Sequence, residues 1–354
     1  TQLMTLMQQS PGRFIKLDDS QFITLTQQLR QRLQALSSNG AEQHYHPLAV
    51  TVLEELTDGM SLDSDEHWQQ QKKRIDDACA LQPIVPNTLQ AELRDYQKEG
   101  FAWLAQLAHW GAGACLADDM GLGKTIQALA LILTRAAAGP TLILAPTSVC
   151  MNWLSEAERF APTLAVKRFG DGDRQTQIDS AGPFDLIVCS YGLLQTEQEL
   201  LQQVEWQTIV ADEAQALKNP QAKRTQAALG LQGAFKMIAT GTPIENHLGE
   251  LWSLFRFINP GLLGSLDSFN KRFAGPIESQ DDKLVRLHLK RLVQPFILRR
   301  LKTQVLTELP PRTEITITVP QSAEEAVFYE AVRRQAMEAL AEDGDKPGQQ
   351  QLKV

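Results

Sequence analysis

The sequence predicts a doubly wound, mainly parallel α/β sheet preceded by a mostly helical region. Two observations predict the sheet. Thr141-Leu-Ile-Leu-Ala145 and Asp185-Leu-Ile-Val-Cys189 are short continuous apolar runs, as expected of strands covered on both faces. Helical segments separate most of the candidate strands, which lie at 113–117, 141–145, 185–190, 207–211 and 236–240. That alternation builds parallel sheets with helices on both sides. Ligands of such sheets bind beyond the carboxyl ends of the strands.

The elements follow in order. Asp18-Asp19-Ser20 is placed to cap a helix through Leu36, which Ser-Ser-Asn-Gly would end. A second helix is expected after Ser64, from Glu66 to Leu81. Its apolar positions are few, so the region should lean on another surface. Gln82-Pro-Ile-Val-Pro-Asn87 is a Pro-punctuated linker. It divides an accessory region (1–87) from an α/β region (88–312), with a final segment at 313–354. Gly113–Ala117 is small and apolar enough for a buried strand, and Thr125–Thr134 has no helix breaker. Beyond about residue 245 the chain reads helical, with Trp252, Phe255 and Phe257 in one segment, and Pro310-Pro311 closes that part. Thr313–Val319 alternates like a strand, and Ser322 opens a helix through about Leu340. The end is polar and breaker-rich, and no internal repeat is apparent.

Bulk composition narrows the function classes. The 354 residues are 43% hydrophobic and 21% charged, ordinary for a globular protein of two or more domains. No apolar run reaches the roughly 18 residues of a membrane span. The start, Thr1-Gln-Leu-Met, has no basic stretch followed by an apolar one, so no secretory signal is expected. The missing initiator Met is what an excerpt would show. Cys79, Cys115, Cys150 and Cys189 are scattered without a Cys-x-x-Cys pair, so zinc and disulfides are not expected, and the two in candidate strands should be buried free thiols. His44 and His46 could form a metal pair, but surface or packing roles are the expectation. A net charge of −8 does not advertise nucleic-acid binding. One stretch differs: Lys283 to Lys302 carries seven Lys or Arg and no acid. Arg286, Lys290 and Arg291 fall there at helical spacing among Leu287, Leu289 and Leu292, as a solvated or a phosphate-facing helix face.

The chemistry sits in two motifs. Residues 117–125 read Ala-Asp-Asp-Met-Gly-Leu-Gly-Lys-Thr, a phosphate-binding loop between a strand and a helix. Asp119, Met120, Gly121, Leu122 and Gly123 would wrap phosphates with backbone N–H groups, Lys124 would hold them by charge, and Thr125 could ligate Mg²⁺. The general pattern has Gly where this chain has Asp118. Later comes Asp212-Glu213-Ala-Gln215, an acidic pair at a strand end that could hold the same metal through Asp212 and orient a water through Glu213.

Residues 89–312 resemble the first motor lobe of Swi/Snf-type ATPases, helicase-like DNA translocases of superfamily two. Leu93-Arg94-Asp95-Tyr96-Gln97 with Gly100 to Leu104 resembles the family's adenine-reading block, and the Asp118 form of the loop is the family's own. Leu144 to Ser148 with Asn152-Trp153, then Ser190-Tyr191, then Asp212 to Asn219 resemble the succeeding blocks, Gln215 standing for a more usual His. Ala239 to Asn246, Phe296 to Arg300 and Leu309 to Arg312 complete the series. Residues 1–85 match nothing so specific.

The resemblance implies a RecA-like lobe that binds ATP and Mg²⁺. It implies Arg94 and Gln97 at the base, Thr240, Gly241 and Thr242 as couplers, and Thr147, Ser148, Asn152, Ser190 and Tyr191 on a duplex DNA backbone. Singly, each of that last group is equally a cap or turn residue. It further implies a second lobe whose arginines reach the γ-phosphate, a role not assigned to Arg299 or Arg300, so this chain alone should be nearly inactive. A protein partner through residues 1–85 and a cytoplasmic, nucleoid-associated location in a bacterial source are expected. The alternatives are a non-catalytic nucleotide-gated scaffold, against which intact Lys124, Thr125, Asp212 and Glu213 argue, and an RNA-directed helicase. Stimulation by duplex DNA or by structured RNA separates the last from a DNA translocase.

Overall fold

The structure, a computed structural model, describes residues 14–16, 22–24, 46–57, 65–241, 247–305 and 322–342. It divides into two units, Thr1–Thr307 and Glu308–Val354. In the second unit the described element is one helix, Ala323–Glu342, close to the expected 322–340. The expected strand at 313–319 and the Pro310–Arg312 segment lie outside the described residues.

The first unit is built on seven parallel strands. After a two-stranded antiparallel ribbon of β1 (Phe14–Lys16) and β2 (Phe22–Thr24), the sheet strands are β3 (Ala114–Leu116), β4 (Thr141–Ala145), β5 (Ala165–Arg168), β6 (Asp185–Ser190), β7 (Thr208–Asp212), β8 (Lys236–Ala239) and β9 (Ile297–Leu298). Their order is β5-β6-β4-β7-β8-β3-β9, with every neighbouring pair parallel. This is the doubly wound parallel sheet that the apolar runs predict, and the RecA-like lobe that the resemblance implies. β3, β4 and the apolar residues of β6 and β7 are wholly buried, which is why they read as continuous apolar runs.

Two strands escape the sequence pattern. β5 is an edge strand carrying Lys167 and Arg168, and Lys167 pairs with Asp185 at 2.7 Å. Edge strands hold charges that blunt further pairing, and those charges hide them. β9 has only two residues and forms by pairing with β3 across the sequence.

The N-terminal region corrects one expectation. Phe22–Thr24 is a strand paired with Phe14–Lys16, where a helix from Ser20 to Leu36 is expected. Both segments carry aromatic and β-branched residues, and Asp18-Asp19-Ser20 between them suits a turn as well as a helix cap. The rest of the expected helix lies outside the described residues. Helices α1 (Val50–Thr57) and α2 (Glu66–Ala80) are described. The Asp65 carboxylate caps α2 by accepting from the Trp68 N–H at 2.8 Å. Helix α2 packs on α3 (Asp95–Trp110), and its Trp68, Ile75 and Ala78 join the core that surrounds the sheet. Gln106 on α3 donates to the Leu81 carbonyl at 3.2 Å. His46 is a packing residue, its Nδ1 accepting from the Leu48 N–H and its Nε2 3.1 Å from the Pro260 carbonyl. Cys115, Cys150 and Cys189 are buried free thiols.

Helices α4 (Lys124–Arg135), α5 (Thr147–Phe160), α6 (Tyr191–Thr196), α7 (Lys223–Leu229), α8 (Leu248–Ile258) and α9 (Lys283–Val293) follow. In α9, Leu289 and Leu292 face the core, while Arg286, Lys290 and Arg291 are exposed. The end of α8 locks the start of β3. Asn259, 2% exposed, accepts from the Gly113 N–H at 2.7 Å and donates to the Gly113 carbonyl at 3.2 Å. A Cβ at Gly113 would stand 2.4 Å from the Ile258 carbonyl oxygen, so the approach requires glycine. Asn259→Ala strands two buried backbone groups, and we expect a loss of about 2–4 kcal/mol. A lower urea midpoint at unchanged slope in equilibrium unfolding is the measurement that checks it.

Candidate nucleotide site

The phosphate loop lies between β3 and α4, at the carboxyl end of the sheet. Gly121 (φ +85°) and Gly123 (φ +76°) turn it through left-handed backbone. At Gly123 a Cβ would also stand 2.5 Å from Gln97 Nε2, so that amide would have to shift. Lys124 opens the helix, and its ammonium donates to the Asp118 carbonyl at 2.8 Å. Met120 is 72% exposed at the tip.

Gln97 braces this loop from α3. Its Nε2 donates to the Leu122 carbonyl at 3.2 Å, and its Oε1 accepts from the Arg94 N–H at 2.9 Å. The Tyr96 hydroxyl donates to the same Leu122 carbonyl. The block expected at the base is thus tied directly to the phosphate loop, with the Arg94 side chain exposed at the start of α3.

Asp118 explains the departure from the general loop pattern. It is fully buried, and its carboxylate receives Arg300 through Nε (3.0 Å), an Nη (2.5 Å) and the backbone N–H (3.0 Å). Arg300 also donates to Gln127 Oε1 at 2.9 Å and to the Tyr96 carbonyl, and its guanidinium lies over the Tyr96 ring. The Asp119 N–H donates to the Arg300 carbonyl, and the Lys302 N–H to the Asp119 carboxylate. Loop, α3, α4 and β9 therefore meet in one buried polar network. Such a network is stable only when every member is satisfied.

The acidic pair ends β7, two strands from β3. The Trp153 indole N–H donates to Asp212 Oδ2 at 2.8 Å, and the Glu213 N–H to Oδ1 at 2.9 Å. Burial pushes the Asp212 carboxyl above the usual range, opposed by those bonds and by the nearby Lys124 charge. Glu213 has left-handed backbone (φ +48°), an uncommon conformation outside glycine that concentrates at functional sites. Gln215, in the place of the more usual His, donates to Glu213 Oε2 at 2.9 Å. Glu156 lies beside Thr125; burial raises its carboxyl and the Asp212 charge raises it further, opposed by the Thr125 hydroxyl. Lys124, Thr125, Asp212 and Glu213 are thus brought to one place. A hydroxyl beside a carboxylate is a hard-oxygen donor set that suits Mg²⁺.

The other expected residues fall around this centre. Thr240 is buried at the end of β8, between the loop strand and the acidic-pair strand, with its N–H on the Leu116 carbonyl. Gly241 follows, and Thr242 lies outside the described residues. The turn after the acidic pair is anchored to α8 by the buried Lys218–Glu250 ion pair (3.1 Å) and by the Ser253 hydroxyl on the Leu217 carbonyl. Thr147, Ser148 and Asn152 are exposed early in α5. Ser190 instead caps α6, and Tyr191 is buried with its hydroxyl on the Asp212 carbonyl at 2.8 Å. Burial and the neighbouring carboxylates hold that phenol well above its ordinary value.

Sequence reasoning assigned no role to Asp118, Gln127, Trp153 or Glu156. Gln127 left no signal, and Asp118 was marked only as the departure from the general loop pattern. Trp153 stood inside a recognised block, and its i,i+3 spacing to Glu156 on one helix face was the available clue. Asp118→Gly would restore the general loop pattern, yet we expect it to cost about 3–5 kcal/mol, because it leaves the Arg300 guanidinium buried without its carboxylate. Thermal unfolding together with nucleotide affinity checks this, and both should fall.

Comparison with known proteins agrees with this geometry. The SNF2-related domain matches residues 96–352. YwqA of Bacillus subtilis, whose own assignment as an ATP-dependent helicase/translocase is provisional, is 38% identical over 344 residues, covering 90% of this chain and 37% of that protein. The ISWI chromatin-remodeling complex ATPase CHR11 of Arabidopsis thaliana is 34% identical, over 74% of this chain and 26% of its own. Among solved structures, the Sulfolobus solfataricus SWI2/SNF2 ATPase core in complex with dsDNA superposes with a TM-score of 0.60 at 38% identity, covering 74% of this chain and 56% of that one. The chain spans little more than a third of the YwqA length and about half of that core. With the sheet, the loop and the acidic pair in place, the chain belongs to the SNF2-related family.

Proposed function

We propose that this chain is the ATP-binding first lobe of a motor that moves along double-stranded DNA and hydrolyses ATP when a second lobe completes its site. The observation that carries the reading is the meeting of the Lys124–Thr125 loop with Asp212 and Glu213 at one end of the sheet, close enough for the Lys124 charge to act on Asp212. In this reading residues 88–312 form the lobe, 1–87 an accessory region that offers a protein partner a surface, and 313–354 the path toward the second lobe. The motor would work in the cytoplasm, at the nucleoid in a bacterial source.

The residues divide the work. Backbone N–H groups of Asp119 to Gly123 and the helix dipole of α4 receive phosphate oxygens, and Lys124 transfers its ammonium from loop carbonyls to the β- and γ-phosphates. Thr125 and Asp212 would hold Mg²⁺, which neutralises charge on the phosphates when bound. Glu213, held by Gln215, orients the attacking water. Arg94 and Gln97 face the base from the start of α3. Arg300 serves the loop from within, and arginines that stabilise the transition state come from the second lobe. Thr240 and Gly241, with Thr242, pass nucleotide state between the two motif strands to the DNA side. Thr147, Ser148 and Asn152 suit phosphate oxygens and read no base identity. Ser190 joins them at the end of β6, while the inward Tyr191 supports the acidic pair. The dsDNA bound to the Sulfolobus core supports duplex DNA as the track.

Steady-state ATPase assays of the full-length protein test the reading. Duplex DNA should stimulate turnover well beyond structured RNA, and Glu213→Gln should lower the stimulated rate at least about 10²-fold with nucleotide affinity retained. Tight nucleotide binding without DNA-stimulated hydrolysis would instead favour a nucleotide-gated scaffold. Residues 1–354 alone should turn over roughly 10³–10⁵-fold more slowly than the full protein. Brisk Glu213-dependent hydrolysis by that piece would overturn the two-lobe requirement.

A further inference from the structure

Helix α5 touches both ends of the proposed machine. Its exposed early positions carry Thr147, Ser148 and Asn152. One face further along carries Trp153, 1% exposed and hydrogen-bonded to Asp212 at 2.8 Å, and Glu156, which lies beside Thr125. Cys150, Trp153 and Ala157 form the buried stripe that seats the helix against its neighbours. Positions three apart on a helix share a face, so Trp153 and Glu156 move together as α5 moves. Trp153 contacts Asp212, and Glu156 lies beside Thr125, the two residues that would hold Mg²⁺.

We propose that Trp153 and Glu156 are positioning residues of the nucleotide site, and that α5 is the rigid element through which duplex DNA tightens Mg²⁺–nucleotide binding. The indole N–H fixes the rotamer of the Asp212 carboxylate, and the Glu156 carboxylate fixes the Thr125 hydroxyl. A phosphate backbone seated on Thr147, Ser148 and Asn152 shifts or stiffens the helix, and the metal-holding oxygens follow. The DNA half of this inference rests on the function proposed above. The positioning half stands on the Trp153–Asp212 hydrogen bond, with Glu156 beside Thr125 on the same helix face.

Equilibrium binding of a fluorescent, slowly hydrolysed ATP analogue to the full-length protein separates the two halves. Affinity is measured with and without Mg²⁺, and with and without duplex DNA. Outer partners of metal ligands typically govern 10–100-fold in metal affinity. Trp153→Phe, which keeps the ring and removes the donor, should therefore raise the Mg²⁺ concentration needed for tight binding about tenfold. Metal-free nucleotide affinity, DNA affinity and the unfolding midpoint should stay near wild type. Glu156→Ala should behave alike, whereas Glu156→Gln, whose amide oxygen still accepts from Thr125, should retain most of the effect. In both damaging variants the tightening by DNA should collapse, and the reciprocal tightening of DNA by nucleotide with it. Mg²⁺ dependence within twofold of wild type in Trp153→Phe and Glu156→Ala overturns the positioning role. Loss of metal-free and Mg²⁺-dependent affinity in equal measure does so too, since that marks general damage. Normal Mg²⁺ effects in a wild-type protein that ignores DNA overturn the coupling role and the DNA reading together, leaving the positioning result standing.

Discussion

The buried pair of Asp118 and Arg300 sets the shape on which the nucleotide site depends. A carboxylate with no solvent exposure survives only if its charge and lone pairs are met. Arg300 meets them with its side chain and its own backbone, while also reaching Gln127 and the Tyr96 carbonyl. The phosphate loop is thereby held from below by an edge strand and from the side by α3. Its upper surface is left to backbone N–H groups, glycines and Lys124. Here a charged network defines one loop geometry, because a partly satisfied version would be costly.

The second organising feature is a division of labour among carboxylates. Asp118 is structural, Asp212 is seated by Trp153 and the Glu213 N–H, and Glu213 is aimed by a left-handed backbone and by Gln215. Glu156 stands beside Thr125 rather than in the acidic pair. Asp118, Asp212 and Glu213 have separate donors in Arg300, Trp153 and Gln215.

Much of this was legible in the sequence, and the failures have physical causes. Thr141–Ala145 and Asp185–Ser190 announced themselves because a strand buried on both faces admits few polar residues. The loop and the acidic pair were legible because phosphate chemistry restricts residue type at fixed spacing. β5 was hidden by the charges of an edge, and β9 by its shortness. The strand at Phe22–Thr24 falls where a helix is expected, since Asp18-Asp19-Ser20 is a polar pattern that serves a turn as readily as a helix cap. Tyr191 was assigned to the DNA side from its block, yet burial turned its hydroxyl to the Asp212 carbonyl. Pairings such as Asp118 with Arg300 join residues 182 positions apart, and no local pattern encodes them.

That separation bears on how the molecule is made. A ribosome adding roughly 5–20 residues per second needs about 10–40 s to proceed from Asp118 to Arg300. Throughout that interval β3 lacks its outer neighbour, and the carboxylate destined for burial must stay hydrated. The early strands can pair among themselves while the phosphate loop waits open. Completion of the nucleotide site is thus coupled to the emergence of β9, so a nascent chain stopped short of it would carry most of the sheet and none of the finished loop.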